Sequence, residues 1–345
     1  MVSILVILTL MLSIARVIAE HKNLFIVNTD KGICAAKITG KMNFTARSRE
    51  DYPVVGDFVK VSILDKENAV IKEILPRKTI LKRKTNNKFN LQYIAANIDV
   101  AFIIQSVDRD FNLNRIGRYL TIIREGGIKP VVILNKIDLI TDTELNTKLS
   151  QINVNYPHVK VLTTSVISNN GISSLINYIK KDKTYCFLGS SGVGKSSLIN
   201  KLVGQDILRT NNLRLATGKG KHTTTNRQLI VLANGSMVVD NPGMRELGIA
   251  ELNKGIKSTY EDIEMLTNDC KFKDCTHASE PGCKIQAAIK NGTLEEKIFD
   301  NYQKIVNENK YFEMTKLEKR EKDRKFGKFV KTVMKQKKRT RPESH

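Results

Sequence analysis

Gly189-Ser190-Ser191-Gly192-Val193-Gly194-Lys195-Ser196 lies between an apolar run, Thr184-Tyr185-Cys186-Phe187-Leu188, and the helix-forming stretch Ser197-Leu198-Ile199-Asn200-Lys201-Leu202-Val203. A strand, a glycine-rich turn and a helix in that order make a phosphate-binding loop. Glycines let successive backbone N–H groups turn toward one anion, and the positive end of the helix adds to the attraction. Lys195 then reaches the β- and γ-phosphates, and Ser196, with Ser197 beside it, is placed to ligate Mg²⁺.

Around this loop, strand-like and helix-like segments alternate from about 97 to 250, which predicts a mostly parallel sheet covered on both faces. The strand Pro130 to Leu134 ends in Asn135-Lys136-Ile137-Asp138. A carboxylate at Asp138 accepts both N1–H and the exocyclic amine of guanine, whereas adenine offers a reversed edge. Lys136 can cover the base and Asn135 can tie this turn to the phosphate loop. Thr164-Ser165-Val166 follows the next strand and suits a backbone contact to the guanine carbonyl. Asp240-Asn241-Pro242-Gly243 ends the strand Ser236 to Asp240. It places Asp240 near Mg²⁺ and the Gly243 N–H near the γ-phosphate. Lys219 to Thr225, KGKHTTT, stands where a nucleotide-sensing loop belongs, with Thr224 as its first choice of Mg²⁺ ligand. The nucleotide implied is GTP, exchanging with GDP.

Up to about residue 75 the pattern differs. Five short alternating runs separated by turn residues predict a small β-barrel. The basic run Arg77 to Lys84 reads as a linker able to touch phosphate. After 250 the strands stop, and polar helices surround Cys270, Cys275, His277 and Cys283. Three thiolates and an imidazole within fourteen residues suit one closed, structural Zn²⁺ site. Cys34 and Cys186, inside apolar runs, read as buried thiols. The expected domains are 1–75, an OB-fold-like RNA-binding barrel; 76–250, a permuted GTPase domain; and 251–345, a zinc-binding helical domain with a basic tail.

The charge balance points to a polyanion. Lys and Arg number 57 against 35 Asp and Glu, a net +22, and nucleic acid is the natural partner of such an excess. The stretch Lys316–His345 alone has 13 basic and 4 acidic residues. It is too charged to bury and is expected as an exposed helix or an arm that folds on a polyanion. The first fourteen residues are apolar but short for a membrane span. They lack the basic start of a secretory signal. They read as a first strand with an apolar extension, or as translation from Met11. The expected protein is a cytoplasmic monomer with no membrane partner.

The guanine-specificity motif precedes the phosphate loop, the reverse of the ordinary GTPase order. In this permuted order the chain resembles the circularly permuted GTPases of small-ribosomal-subunit assembly, the RsgA or YjeQ family. The resemblance runs from the barrel through NKID, GSSGVGKSS, KHTTT and DNPG to the Cys/His cluster. It implies the same zinc ligands and a GTPase that binds the small (30S) ribosomal subunit and 16S rRNA. It further implies late maturation of that subunit, with hydrolysis stimulated by the subunit and promoting release. Met244 stands where many GTPases carry a water-orienting glutamine. His222, in the loop expected to move over the γ-phosphate, is the candidate catalytic residue, and the resemblance points to the same histidine. Two other classes remain open: a non-catalytic RNA-binding factor liganded by GTP, and a membrane-tethered regulatory GTPase.

Overall fold

A computed structural model of the chain describes residues 12–21, 24–84, 91–204, 228–240 and 252–315, then 317–321 and scattered positions to 332. Five strands close the N-terminal barrel: β1 (Leu12–His21), β2 (Leu24–Thr29), β3 (Gly32–Ile38), β4 (Phe58–Ile63) and β5 (Asn68–Ile74). They follow the order β1-β2-β3-β5-β4, and β4 returns to β1, pairing Leu12 with Ser62 through Arg16 with Phe58. Only β3 and β5 run parallel, with the short helix α1 (Gly40–Thr45) lying between β3 and β4 in the chain. Alternate residues fill the interior, among them Val17, Phe25, Val27, Ala36, Val59 and Ile71. The register of β1 shifts between Val17 and Ala19. That irregularity breaks the alternation, so Ile18 and Ala19 leave the barrel core and join the apolar core of the next domain.

The basic run after the barrel is not a linker. Ile80–Lys84 forms β6, paired antiparallel with β7 (Leu91–Ala96), a strand the sequence reading did not separate from its surroundings. Leu81 is fully buried and Ile80 partly so, and these two apolar residues in an otherwise basic run decide its structure. Arg77 does not wait for phosphate either. Its Nε and a terminal nitrogen each lie 2.8 Å from one carboxylate oxygen of Asp57, and the guanidinium also donates to the carbonyls of Glu50 and Tyr52. Asp57 is wholly buried and also accepts from the Val54 N–H at 2.8 Å. Removing one partner of such a pair strands a buried charge. Arg77→Ala is therefore expected to destabilise the barrel by about 3–5 kcal/mol, read as a fall in the denaturation midpoint with unchanged m-value.

The central sheet has the order β10-β9-β8-β11-β13-β12. Its strands are β8 (Val100–Ser106), β9 (Lys129–Asn135), β10 (Lys160–Thr164), β11 (Thr184–Leu188), β12 (Gln228–Val231) and β13 (Met237–Asp240). All are parallel except β12, which forms a hairpin with β13. Its edge continues into the barrel through an Ala19–Gln228 pairing. The helices are α2 (Leu113–Glu125), α3 (Asp142–Asn155), α4 (Ile172–Tyr178) and α5 (Lys195–Gly204). Strand residues alternate between two cores: Ala101, Ile103, Val132 and Leu134 face α2 residues such as Ile116 and Leu120. Phe102, Ile104, Val131 and Ile133 face α4 and α5 through Leu175, Leu198 and Leu202. Burial on both faces explains the near-continuous apolar strands.

The C-terminal helices are α6 (Asn253–Thr259), α7 (Glu261–Asn268), α8 (Lys284–Lys290) and α9 (Glu296–Glu313). They pack on α2 rather than standing apart. A Cβ on Gly255 would lie 2.0 Å from the Thr121 carbonyl, and one on Gly117 would lie 2.4 Å from both the Tyr156 and Tyr260 hydroxyls. Glycine lets α6 and these tyrosines approach the helix this closely. Asn301 donates to the Tyr260 hydroxyl at 2.7 Å, and burial pushes the Tyr156 phenol up to about 12. Arg118 forms a two-pronged pair with Glu308 of α9, at 3.2 and 2.9 Å. In the tail, Lys319 departs from the expectation of a fully exposed segment. It is 8% exposed, its ammonium 5.7 and 5.8 Å from the ring centres of Tyr311 and Phe312 and donating to the Phe312 carbonyl at 2.8 Å. Cys34 and Cys186 are both buried, as read. Among the described residues no helix is long and apolar enough to cross a membrane. The apolar first eleven residues lie outside them.

Candidate nucleotide site and Cys/His cluster

β8, β9 and β10 progress toward one edge of the sheet, while β11 starts again on the other side of β8. A sheet that reverses direction in this way leaves a crevice at the C-terminal ends of its strands, where α/β proteins bind ligands. The phosphate loop follows β11, Asn135 ends β9, Thr164 ends β10 and Asp240 ends β13, so all four motifs meet along that edge.

Backbone geometry shows why the loop is glycine-rich. Gly189 has φ +147° and Gly194 has φ +97°. A Cβ at Gly189 would lie 2.3 Å from the Ile104 carbonyl, and one at Gly194 would lie 2.2 Å from Asn135 Nδ2. Asn135 Nδ2 donates to the Val193 carbonyl at 2.8 Å, and Thr164 Oγ1 donates to Asn135 Oδ1 at 3.0 Å. One buried asparagine thus joins the guanine turn, the following strand and the phosphate loop. Lys195 Nζ folds over the loop, 2.6 Å from the Gly189 carbonyl and also on the Ser190 carbonyl. Ser191, Gly192, Ser196 and Ser197 are exposed at the mouth of the loop.

On the guanine side, Lys136 takes the left-handed conformation at φ +63° and opens a one-turn 3₁₀ helix, Ile137–Leu139. Its ammonium pairs with Asp108 Oδ2 at 3.3 Å. The nearby Ser106 hydroxyl, together with the Asp110 N–H that donates to Oδ1 at 3.0 Å and the Lys136 ammonium, holds the Asp108 carboxyl below its ordinary range. Asp138 accepts a short bond from the buried Ser165 hydroxyl, which itself accepts from the Ser168 N–H. Asp138 is exposed, so its burial in a complex has to come from the base itself. Val166 is half-buried beside this pair. Thr224, His222 and Gly243 lie outside the described residues, as does Met244. Of Asp240 the described part is its backbone pairing with Gln228.

Sequence reasoning missed two contributors, Asp108 and Arg115. Arg115 of α2 donates to Ser190 Oγ at 2.7 Å and pairs with Asp110. A single arginine in an amphipathic helix carries no signal of its own; only the fold brings it to the loop.

The four Cys/His donors come together. Sγ of Cys270, Cys275 and Cys283 and a ring nitrogen of His277 all lie within 4.8 Å of one another. His277 Nδ1 stands 3.5 Å from the Cys270 sulfur and 3.6 Å from the Cys283 sulfur. A tetrahedral ion with ordinary zinc–sulfur and zinc–nitrogen bonds sets that edge at about 3.6 Å, so the spacing fits. The Lys284 N–H points at Cys270 Sγ, and the Gln286 N–H at Cys283 Sγ, each at 3.4 Å. Gln286 also holds the His277 carbonyl at 2.6 Å. Burial, with the neighbouring sulfurs, pushes the Cys275 thiol up to about 11. Cys275 therefore retains a proton that a bound dication displaces. The Cys₃His set can hold a metal ion such as zinc.

A doubly wound sheet, a phosphate loop at its switch point and a guanine turn that precedes the loop in the chain define a circularly permuted GTPase. A family model described as RsgA GTPase matches residues 74–250. A relative in Lactiplantibacillus plantarum, "Small ribosomal subunit biogenesis GTPase RsgA 2", is 44% identical over 300 residues, 86% of this chain and 84% of the relative. One in Bacteroides thetaiotaomicron, "Small ribosomal subunit biogenesis GTPase RsgA 1", is 38% identical over 328 residues, 94% of this chain and 91% of its own. Among solved structures, YjeQ from Thermotoga maritima aligns with TM-score 0.64 at 27% identity, covering 86% of this chain and 98% of that one. YloQ, described as a circularly permuted GTPase, aligns at 0.61 and 25% identity, covering 88% and 97%. The chain belongs to the RsgA GTPase family, and it is a GTP-hydrolysing enzyme of ribosome biogenesis.

Proposed function

We propose that this GTPase binds the small (30S) ribosomal subunit through 16S rRNA, acts in its late maturation and uses hydrolysis to leave it. The observation that carries this reading is the match over 94% of the chain, barrel and Cys/His region included, to a relative named for small-subunit biogenesis. The net charge of +22 supports an RNA partner. So does Phe44 on α1, 92% exposed between Lys41 and Arg47, an aromatic face flanked by cations of the kind that stacks an unpaired base. The protein works as a cytoplasmic monomer with three domains, 1–75, 76–250 and 251–345.

In the nucleotide site, the backbone of Gly189 to Lys195 cradles the phosphates and Lys195 exchanges its loop carbonyls for phosphate oxygens. Asp138, steadied by Ser165, takes the guanine edge, and the Thr164-Ser165-Val166 backbone meets its carbonyl. Lys136 covers the base. Mg²⁺, held with GTP by Ser196, Thr224 and Asp240, supplies charge neutralisation at the β- and γ-phosphates. The Gly243 N–H meets the γ-phosphate. One Zn²⁺ on Cys270, Cys275, His277 and Cys283 is structural. His222 orients or activates the attacking water, the role Met244 is unable to fill.

Turnover of GTP by the purified chain is the direct test. Small subunits are expected to raise the rate strongly and large subunits to leave it unchanged, with stimulation falling steeply as salt rises. His222→Ala is expected to remove about 10²-fold or more of the stimulated rate while GTP still binds. Equal stimulation by both subunits would sink the proposed partner, and an unchanged rate in the variant would sink the histidine.

A further inference from the structure

Residue 190 of the phosphate loop is held by two cations. Lys195 Nζ sits on its carbonyl, and Arg115 donates to its hydroxyl at 2.7 Å. The lysine belongs to the loop's own motif. The arginine arrives from α2, seventy-five positions away in the chain.

Its placement is built from the sheet outward. Gln105 at the end of β8 is fully buried, and its side-chain oxygen accepts from the Asn112 N–H at 2.9 Å. Asn112 caps α2, its own side chain accepting from the Arg115 N–H at 3.0 Å. Asp110, in the turn between, pairs with the guanidinium, which also donates to the Asp110 carbonyl at 3.3 Å. The other carboxylate oxygen of Asp110 is buried with no hydrogen-bond partner among the described residues. Arg115 is therefore the cation that balances that acid. Further along, α2 is locked to α9 by the Arg118–Glu308 pair, one turn on, and to α6 through the Glu125 carboxylate on the Gly255 N–H. A guanidinium fixed at both ends of its helix is a rigid donor, and its side chain is still 34% exposed beside the open mouth of the loop.

We propose that Arg115 is a positioning residue of the nucleotide site. Through Ser190 Oγ it sets the curvature of the phosphate loop before nucleotide arrives, and it adds positive charge beside the polyphosphate. Holding a loop in its binding shape removes an ordering cost from each binding event. The effect belongs to binding more than to the chemical step. The inference rests on the GTPase reading, since it assigns a helper to that same loop.

The test is a double-mutant cycle on the full chain. Arg115→Gln and Ser190→Ala are each expected to weaken GDP and a non-hydrolysable GTP analogue about tenfold, the loss of one charge-assisted hydrogen bond. KM for GTP should rise in step, while kcat changes little. The double variant should be no worse than the weaker-binding single variant, because both changes break one contact. Arg115→Lys should recover part of the affinity, since it keeps the charge without the planar fork. Single variants that bind like the parent, or losses that multiply in the double variant, overturn the proposal. If Arg115→Gln does not fold, Arg115→Lys paired with Ser190→Ala gives the same comparison. A parent protein that fails to bind guanine nucleotide would instead defeat the GTPase reading, so the two failures are distinguishable.

Discussion

Asp138→Asn is expected to weaken GTP binding about 100-fold and to transfer preference to xanthosine triphosphate. Guanine presents two donors side by side, N1–H and the exocyclic amine, and a carboxylate accepts both. An asparagine accepts one and turns its own amide donor against the other, leaving two donors opposed under the base. Xanthine keeps N1–H but carries a carbonyl in place of the amine, which the new amide donor suits. Sites built to hydrogen-bond a substrate edge reject its mismatched analogue far more strongly than apolar pockets do. Two features of the structure moderate the figure. Asp138 is exposed without a base over it, so part of the mismatch can be relieved by water. Ser165 donates to the carboxylate and can serve the amide oxygen equally well, so the loop need not rearrange. Competitive titration of both triphosphates reads the switch directly. An unchanged guanine-to-xanthine ratio would move base recognition away from the Asn135–Asp138 turn.

The motifs around this site were legible because each is local. A strand end, a glycine turn and a helix start lie within twenty residues, and the chemistry of phosphate or guanine fixes the residue types. The five barrel strands were legible for the same reason, since alternation and turn residues are short-range signals. The basic run from Arg77 to Lys84 was misread because charge count outweighed two apolar positions. Leu81 packs inward as part of a strand, and Arg77 meets a carboxylate twenty positions earlier. No pattern within eight residues announces either partner. The mounting of the C-terminal helices on α2 was equally hidden. It depends on Gly117 and Gly255 being small where Tyr156, Tyr260 and the Thr121 carbonyl approach, pairs separated by about forty to more than one hundred positions. Asn135 shows the boundary between the two cases. Its place in the NKID turn is readable, and its bond to Val193 follows from chemistry once the phosphate loop is assumed. The Arg115–Ser190 contact has no comparable motif, and only the three-dimensional neighbourhood reveals it.

Stripping the proposed zinc from the Cys/His cluster is expected to have a large but confined structural effect. Between Asn268 and Lys284 the chain forms turns and bends, with no helix or strand of its own. Few apolar side chains there are buried: Cys283 is, while Phe272 is 41% exposed. A segment of that composition does not recover its ordering entropy by burial, and a structural zinc supplies on the order of 10 kcal/mol in such cases. The helices on either side differ. Ile256, Tyr260 and Ile263 before the cluster, and Ile298, Phe299, Tyr302 and Ile305 after it, share one core with α2. A strong chelator, or Cys283→Ser, should therefore release residues 269–283 to rapid hydrogen exchange and proteolysis, while α9, and α8 through the wholly buried Ile285 in that same core, stay protected. Cys283 has a second role that sharpens the effect, because its sulfur accepts the Gln286 N–H at the start of α8. Guanine-nucleotide affinity should change little, since no ligand of the cluster touches the phosphate loop or the guanine turn. Protection unchanged after the metal is stripped would mean that the Cys/His segment is held by packing alone. Loss of protection in α9 as well would mean that the core shared with α2 is too weak to hold the domain without its ion.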